Sequence, residues 1–399
     1  MKTLLFIFGT RPEAIKVAPL ILKLQKSIQH RVLVCSTGQH REMLKPLLNF
    51  FKIVPDFDLD LMRPGQSLSS LSTRIMAGVQ DIIDLQNNSG EPIDSIIVQG
   101  DTTSSCIGGI VAFYNKIKII HLEAGLRSHD INSPFPEEFN RKTLSLISDM
   151  HLAPTIEAKA NLMHEHADEK KIFVTGNTGI DALFEVKTRI EKSADLSQSF
   201  QKTFHFIDKS KKLILVTLHR RESFEKNIKI VMQGVLELSK RDDVQIIMPL
   251  HLNPEVRKVA SHIFSECPSN VYLMEPIDYI PFVYLMNQAY LIVTDSGGIQ
   301  EEAPSLGVPV LIARENTERP EAIAAGTSKL VPLQKDEFIA TVVDLLDNMI
   351  TYNKMAQAQN PFGDGHACER IEDLLFDDLV PATHIIPVSA VINNHLGLH

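Results

Sequence analysis

Short apolar or β-branched runs alternate with amphipathic stretches along the first half of the chain, a pattern that predicts parallel strands covered by helices. The runs Lys2–Phe8, Arg31–Ser36, Ser95–Gln99, Ile117–His121, Met150–Leu152 and Ile172–Thr175 are of strand length, and each is followed by a turn carrying Gly, Asp, Thr or Pro. Around Lys187–Lys211 the composition turns charged and the core pattern fades, so Glu185–Lys211 predicts a helical, mostly exposed connection between two domains. The alternation then restarts with Lys212–Thr217, Val244–Pro249, Val271–Met274, Ala289–Thr294, Val308–Ile312 and Lys329–Val331. Helical patterns over Lys226–Lys240, Pro254–Phe264 and Gly298–Leu306 lie between them. Two α/β units of similar size form a cleft between the carboxyl ends of their strands, where open α/β sheets bind ligands. The predicted division is a first domain over residues 1–184, a connection at 185–211, a second domain over 212–365, and a terminal helix and tail at 366–399 that packs back on the first domain.

The 399 residues carry 40 Lys+Arg against 49 Asp+Glu, a formal net charge of −9. That balance argues against a nucleic-acid binder, which needs a basic surface to displace phosphate counterions. It leaves room for a small anionic ligand held by a few local cations. No apolar run approaches the roughly 18 to 20 residues of a membrane span. The opening run Leu4–Phe8 stops at Gly9-Thr10-Arg11, which reads as a strand and not as a signal peptide. Cys35, Cys106, Cys267 and Cys368 lie far apart without a C-x-x-C pair. They read as reduced thiols of a cytoplasmic enzyme, neither a disulfide framework nor a zinc site.

Candidate chemistry begins at Phe8-Gly9-Thr10-Arg11-Pro12-Glu13-Ala14-Ile15-Lys16. Thr10-x-x-Glu13 fits a capping box after a buried strand, with Pro12 in the first helical turn. Free backbone N–H groups, Arg11 and Lys16 then gather at one helix N-terminus, which suits an anion, although an ordinary capped helix would read the same. Gly100-Asp101-Thr102-Thr103 ends the next such strand, where Asp101 either projects into the cleft or caps the following helix. His121-Leu122-Glu123-Ala124-Gly125 and Pro134-Phe135-Pro136-Glu137-Glu138-Phe139-Asn140-Arg141 add Glu123 and Glu137 from following loops, one of them shaped by two prolines. Carboxylates clustered in a cleft can divide general acid and base work, because repulsion and burial push their pKa values apart. A solvated acidic rim is the plainer alternative.

In the second half, His219-Arg220-Arg221 leaves a buried strand as a possible phosphate grip or a basic surface turn, and His251 follows the next strand. His164-Glu165-His166 lies in a polar helical stretch with no third ligand and reads as surface. Thr294-Asp295-Ser296-Gly297-Gly298-Ile299-Gln300-Glu301-Glu302 runs from a strand into a helix through two glycines, the geometry of a diphosphate cradle. It is neither a P-loop nor a G-x-G-x-x-G fingerprint. Glu302 can accept from ribose hydroxyls, and Arg319 follows the next strand on the same edge.

Together these segments resemble the bacterial non-hydrolysing UDP-N-acetylglucosamine 2-epimerases, most of all those of enteric bacteria that supply UDP-N-acetylmannosamine for surface polysaccharide. The matching stretches are Phe8–Lys16, Thr37–Leu44, Gly100–Thr103, His121–Ser128, Pro134–Arg141, Thr175–Leu183, His219–Ser223, Thr294–Gly307 and Thr317–Ala322, in the family's order. The resemblance implies an α/β fold of glycosyltransferase-B type, with two Rossmann-like domains closing on the nucleotide sugar. It implies substrate and UDP contacts at Arg11, Lys16, Asp101, Glu123, His219, Phe282, Ser296, Gly297, Gly298, Glu302 and Arg319, with Ile277 near the uracil where some relatives carry a polar residue. It assigns catalysis to Asp101, Glu123, Glu137 and His219. A regulatory substrate site beside the active site is implied at Gln39, His40, Gln66, Glu138, Arg220 and His251, with Gly65 standing where some relatives carry an Arg. A homodimer working in the cytoplasm is implied as well.

The implied route is loss of UDP from C1, giving 2-acetamidoglucal, then re-addition with the proton delivered to the other face of C2. It requires no redox cofactor and no metal. A hydrolysing epimerase that releases N-acetylmannosamine and UDP is the nearest rival reading, followed by a retaining glycosyltransferase and a non-catalytic sugar-nucleotide sensor.

Overall fold

The computed structural model describes residues 1–39, 41–63, 65–218 and 227–377. β1 (Lys2–Phe8) is apolar along nearly its whole length and buried from Thr3 onward, as a strand covered on both faces must be. It leads through a tight turn into α1 (Arg11–Leu24), and the unit repeats as β2 (His30–Ser36), α2 (Arg41–Phe51), β3 (Phe57–Asp58) and α3 (Leu68–Asn88). Then come β4 (Ser95–Gln99), α4 (Thr103–Tyr114), β5 (Lys118–Leu122), α5 (Glu137–Ile147), β6 (Met150–Ala153), α6 (Ile156–His164) and β7 (Ile172–Val174). α7 (Thr178–Lys192) and α8 (Ala194–Thr203) lead to the second lobe. There the order is β8 (Lys212–Thr217), α9 (Asn227–Leu238), β9 (Val244–Pro249), α10 (Pro254–Ile263), β10 (Val271–Met274), α11 (Tyr279–Gln288) and β11 (Leu291–Thr294). It continues with α12 (Gly297–Glu302), β12 (Val310–Ile312), α13 (Pro320–Ala324), β13 (Ser328–Leu330), α14 (Lys335–Asp347), α15 (Met349–Ala356) and α16 (Ala367–Asp377).

Among the described residues the first lobe holds a sheet ordered β3-β2-β1-β4-β5-β6-β7 and the second a sheet ordered β10-β9-β8-β11-β12-β13. Every strand pair is parallel. In each lobe the strand order reverses direction once, between β1 and β4 and between β8 and β11. Loops leaving those paired strands on opposite sides open a crevice, the preferred binding place of such sheets. This is the expected two-lobed arrangement of glycosyltransferase-B type. The strands read from apolar runs are all present, with ends shifted by a residue or two. β3 is an addition: its Phe57-Asp58 pair is too short and too polar to stand out, and it exists by pairing with Cys35 and Ser36.

One apolar cluster runs through both lobes, from Phe6, Leu20 and Leu24 to Val283, Met286 and Ile312. α7 carries buried Val186 and Ile190 into that core, so the first part of the stretch read as a connection belongs to the packed first lobe. Beyond α8, Phe204 is buried and stacks on Tyr284 of α11 with ring centroids 5.7 Å apart. α16 returns to pack against α1 and α7, burying Ile371 and Leu375. The apolar tail beyond Pro381 lies outside the described residues.

Candidate active site

The turn after β1 is built around a buried carboxylate. Thr10 and Glu13 form the capping box read from their spacing, and the Thr10 N–H donates to Glu13 Oε2 at 2.8 Å. Gly9 donates to the same oxygen at 3.1 Å, while Oε1 accepts from Thr102 Oγ1 at 2.7 Å and Ser105 Oγ at 2.8 Å. Glu13 thereby ties the turn after β1 to the turn after β4, the two strands flanking the reversal. Burial pushes its carboxyl up, against the pull of bonds from Thr102, Thr10 and Ser105. Position 9 must be glycine, because a Cβ would stand 2.1 Å from Thr37 Oγ1 and 2.4 Å from Ser104 Oγ. Arg11 faces the second lobe, 3.9 Å from Asp278.

After β4, Thr102 and not Asp101 caps α4, accepting from the Ser105 N–H at 3.1 Å. Asp101 is thereby left for other work and pairs with Arg141 of α5. Its backbone is held as well: Asn140 Nδ2 donates to the Asp101 carbonyl at 2.8 Å, and His121 Nε2 lies 2.7 Å from the Gly100 carbonyl. His121 is buried and its pKa is pulled down to about 3 by desolvation, so the neutral ring donates that bond.

Glu123 follows β5 with φ +59°, a left-handed conformation that costs a non-glycine residue about 1 kcal/mol or more and that functional residues often hold. Gly125 completes the turn, since a Cβ there would lie 2.1 Å from the Ala158 carbonyl oxygen. Glu123 pairs with Lys16, and Asn177 Nδ2 donates to its Oε2 at 3.2 Å. Burial would raise the Glu123 carboxyl, but Lys16, Arg319 and Arg141 outweigh it and hold the group below the ordinary range. Lys16 is correspondingly held in its charged form by Glu123 and Glu301 despite burial. It is thus the counter-ion of Glu123 in this structure.

Across the crevice, Thr217 and Thr294 at the ends of β8 and β11 are joined by a 2.8 Å hydroxyl contact. α12 starts from Ser296, which makes no side-chain cap bond, and its first N–H groups lack partners within the helix. Among the described residues nothing lies within 4 Å of where a Gly298 Cβ would point, which leaves space beside this end of α12. Gln300 braces the helix, donating to the Ser296 carbonyl at 3.1 Å and accepting from Thr317 Oγ1 at 2.6 Å. Glu301, 3% exposed, pairs with Arg319 and accepts from Asn177 Nδ2 at 2.8 Å. Glu302 is pushed up to about 8 by burial and by the neighbouring Glu301 charge, against the pull of Lys16. Ile277 and Phe282 are half-buried against the shared core, and the buried Tyr279 hydroxyl has no hydrogen-bond partner among the described residues.

The structure thus brings Asp101, Glu123, Lys16 and Arg319 into one charged network at the mouth of both sheets. Glu137 opens α5, one turn before Arg141, and is half-buried. His40, His219 and Arg220 lie outside the described residues. Gln39 accepts from Ser104 Oγ at 3.2 Å, and Gln66 lies in the loop before α3, bonded to Arg74. That loop runs beside the Gln39 turn, because the Leu61 N–H donates to the Thr37 carbonyl at 3.0 Å. Glu138 is fully buried and accepts from the Ser128 N–H at 3.1 Å and from Arg141 at 2.9 Å. His251 stands on the far lobe after β9, accepting from the Asn253 N–H at 3.1 Å. Glu165 of the His164–His166 stretch pairs with Arg127. Sequence reasoning missed the roles of Arg141, Asn177 and Glu301 and, beyond its capping box, the tie from Glu13 to the turn after β4, all within the quoted motifs. Their partners are distant in sequence, and only the polar residue types beside strand ends hinted at them.

Comparison with known proteins gives one answer. Residues 22–376 match the family described as UDP-N-acetylglucosamine 2-epimerase. The UDP-N-acetylglucosamine 2-epimerase of Yersinia pestis is 47% identical over 368 residues, 92% of this chain and 96% of that protein. The crystal structure of the Neisseria meningitidis UDP-GlcNAc 2-epimerase bound to UDP-GlcNAc is 45% identical, covers 94% of this chain and 100% of its own, and superimposes with a TM-score of 0.84. The Methanocaldococcus jannaschii enzyme in complex with UDP-GlcNAc and UDP is 33% identical with a TM-score of 0.74, covering 94% and 99%. With that similarity spread over both lobes and over every strand that carries the charged network, the chain belongs to the UDP-N-acetylglucosamine 2-epimerase family, of the bacterial non-hydrolysing kind.

Proposed function

We propose that this epimerase inverts C2 of UDP-N-acetylglucosamine by eliminating UDP and adding it back. The C2 proton is not next to a carbonyl, so direct removal at neutral pH would be very slow. As the C1–O bond breaks, its electrons leave with the UDP oxygen, and oxocarbenium character at C1 acidifies the C2–H. A carboxylate takes that proton, the C–H electrons form the C1=C2 bond of 2-acetamidoglucal, and UDP is the leaving group. Re-addition of UDP oxygen to C1, with a proton delivered to the opposite face of C2, gives UDP-N-acetylmannosamine.

Two faces call for two proton-handling groups. The observation that carries this reading is the pair Asp101 and Glu123 on adjacent strand ends, each with its own cation, in a crevice whose other wall is the open start of α12. Glu137 and His219 complete the proposed catalytic set. Arg11, the Ser296–Gly298 helix end and His219 hold the departing pyrophosphate, where charge grows in the transition state and preorganised donors contribute several kcal/mol. Ile277, Phe282, Glu302 and Arg319 form the uridine side of the site. The regulatory substrate site, the homodimer, the cytoplasmic location and the supply of surface polysaccharide follow from the resemblance and belong to the same proposal.

Incubation with UDP-N-acetylglucosamine in deuterium oxide tests the reaction. Deuterium at C2 of accumulating UDP-N-acetylmannosamine is the expected result. Release of free N-acetylmannosamine would replace this reading with hydrolysis, and exchange without epimer would exclude two-faced proton transfer.

A further inference from the structure

Asn177 sits on the turn between β7 and α7 with only 3% of its surface exposed and every polar group engaged. Its N–H donates to the Phe362 carbonyl at 2.8 Å, where the chain returns from the second lobe. Its Oδ1 accepts from the Gly179 N–H at 2.8 Å and so caps α7, which fixes the plane of the amide. The two remaining amide protons go to Glu123 Oε2 at 3.2 Å and Glu301 Oε2 at 2.8 Å. One carboxylate belongs to each lobe. Two anions meeting at one nitrogen would repel in a buried place, and a neutral double donor is what lets them approach. Lys16 on one side and Arg319 on the other complete the neutralisation.

We infer that Asn177 is a positioning residue for the epimerisation: its amide allows Glu301, and with it the whole of α12, to dock beside Glu123, so that the proton-transferring carboxylate and the diphosphate-gripping helix reach working distance only together. This rests on Glu123 being a proton-transferring group. Separation of the lobes breaks the Glu301 bond and withdraws Arg319, leaving Glu123 with the first-lobe cations Lys16 and Arg141. Proton removal is thereby confined to the closed state, where water is kept from the glucal. Thr155 Oγ1 donating to Glu321 at 3.2 Å and Arg11 facing Asp278 cross the same boundary without touching either carboxylate.

The test uses Asn177→Asp, which keeps an acceptor for the α7 cap, since Asp and Asn serve there about equally. It replaces the donor with a third anion between Glu123 and Glu301. Turnover should fall about tenfold or more, while UDP affinity, carried mainly by the second lobe, changes less than about threefold. Adding Glu301→Gln re-forms an amide–carboxylate bond between the lobes with the donor reversed, and should return a large part of the lost turnover. A weakened cap on α7 could not be rescued from the opposite lobe. Wild-type turnover in Asn177→Asp, or a double variant no faster than that single variant, overturns the inference. Full activity in Glu123→Gln would instead remove the reading on which it stands, so the two failures are distinguishable. Small-angle scattering with saturating UDP gives a second readout: the single variant should be more expanded than the wild type and the double variant less so, and unchanged dimensions in both would also overturn it.

Discussion

Arg141 serves both proposed proton-transfer carboxylates, paired with Asp101 directly and contributing to the field at Glu123. Its other partner, Glu138, has no exposure and holds the Ser128 N–H, so the guanidinium cannot swing away without leaving a buried charge alone. Each carboxylate therefore has a cation of its own, and neutral groups hold the chain beside it: Asn140 on the Asp101 carbonyl, His121 on the Gly100 carbonyl, and Asn177 on the Glu123 carboxylate itself. Removing charge at either position while keeping shape should separate chemistry from binding. Asp101→Asn or Glu123→Gln is expected to lower turnover about 100-fold or more, the usual scale for a general acid or base. UDP affinity, measured by calorimetry, should stay nearly intact, and a variant with full turnover removes the role assigned to that residue.

Helix ends do the placing. Thr102 takes the cap of α4, which leaves Asp101 to pair with Arg141, and the short α12 meets the first lobe through Glu301. α16 is seated by a side chain from another helix: Asp181 of α7 accepts from the N–H groups of Ala367 at 3.2 Å and Cys368 at 2.8 Å. A negative group at a helix N-terminus satisfies orphan donors and complements the helix dipole. Asp181→Ala should cost about 1–2 kcal/mol of unfolding free energy in a urea titration. Asp181→Asn should recover much of that loss, and no change in either variant would mean that the apolar contacts of Ile371 and Leu375 alone seat α16.

The two lobes share one apolar core, and Phe204 with Tyr284 stitches the connection to α11. A hinge that also buries core residues couples the folding of both halves. All the tyrosines except Tyr114 lie in the second lobe, and the chain has no tryptophan, so tyrosine fluorescence reports that lobe while circular dichroism reports both. The two signals should follow one coincident urea transition in the wild type. Phe204→Ala removes about 3 kcal/mol or more of packing at the seam. It should lower the midpoint and pull the two curves apart, and a single coincident transition in that variant would show that the lobes are joined elsewhere.

What the chain's own order of residues determined is what is local: the apolar runs that become strands, the Thr10–Glu13 cap, the acidic groups at successive strand ends, and the motifs that carry the family likeness. Those follow from side-chain period and turn chemistry within a few residues, and they were enough to read the two-lobed fold and to place Asp101 and Glu123 at neighbouring strand ends. The partners of those groups were decided by tertiary structure alone. Lys16 meets Glu123 across 107 residues, Arg141 meets Asp101 across 40, and Asn177 meets Glu301 across 124. A lysine near a helix start suits an anionic ligand and a buried carboxylate equally well by its chemistry. Only the crossing of parallel strands and the closing of one lobe on the other chooses between them, because electrostatic energy depends on distance in space and burial, neither of which spacing along the chain records.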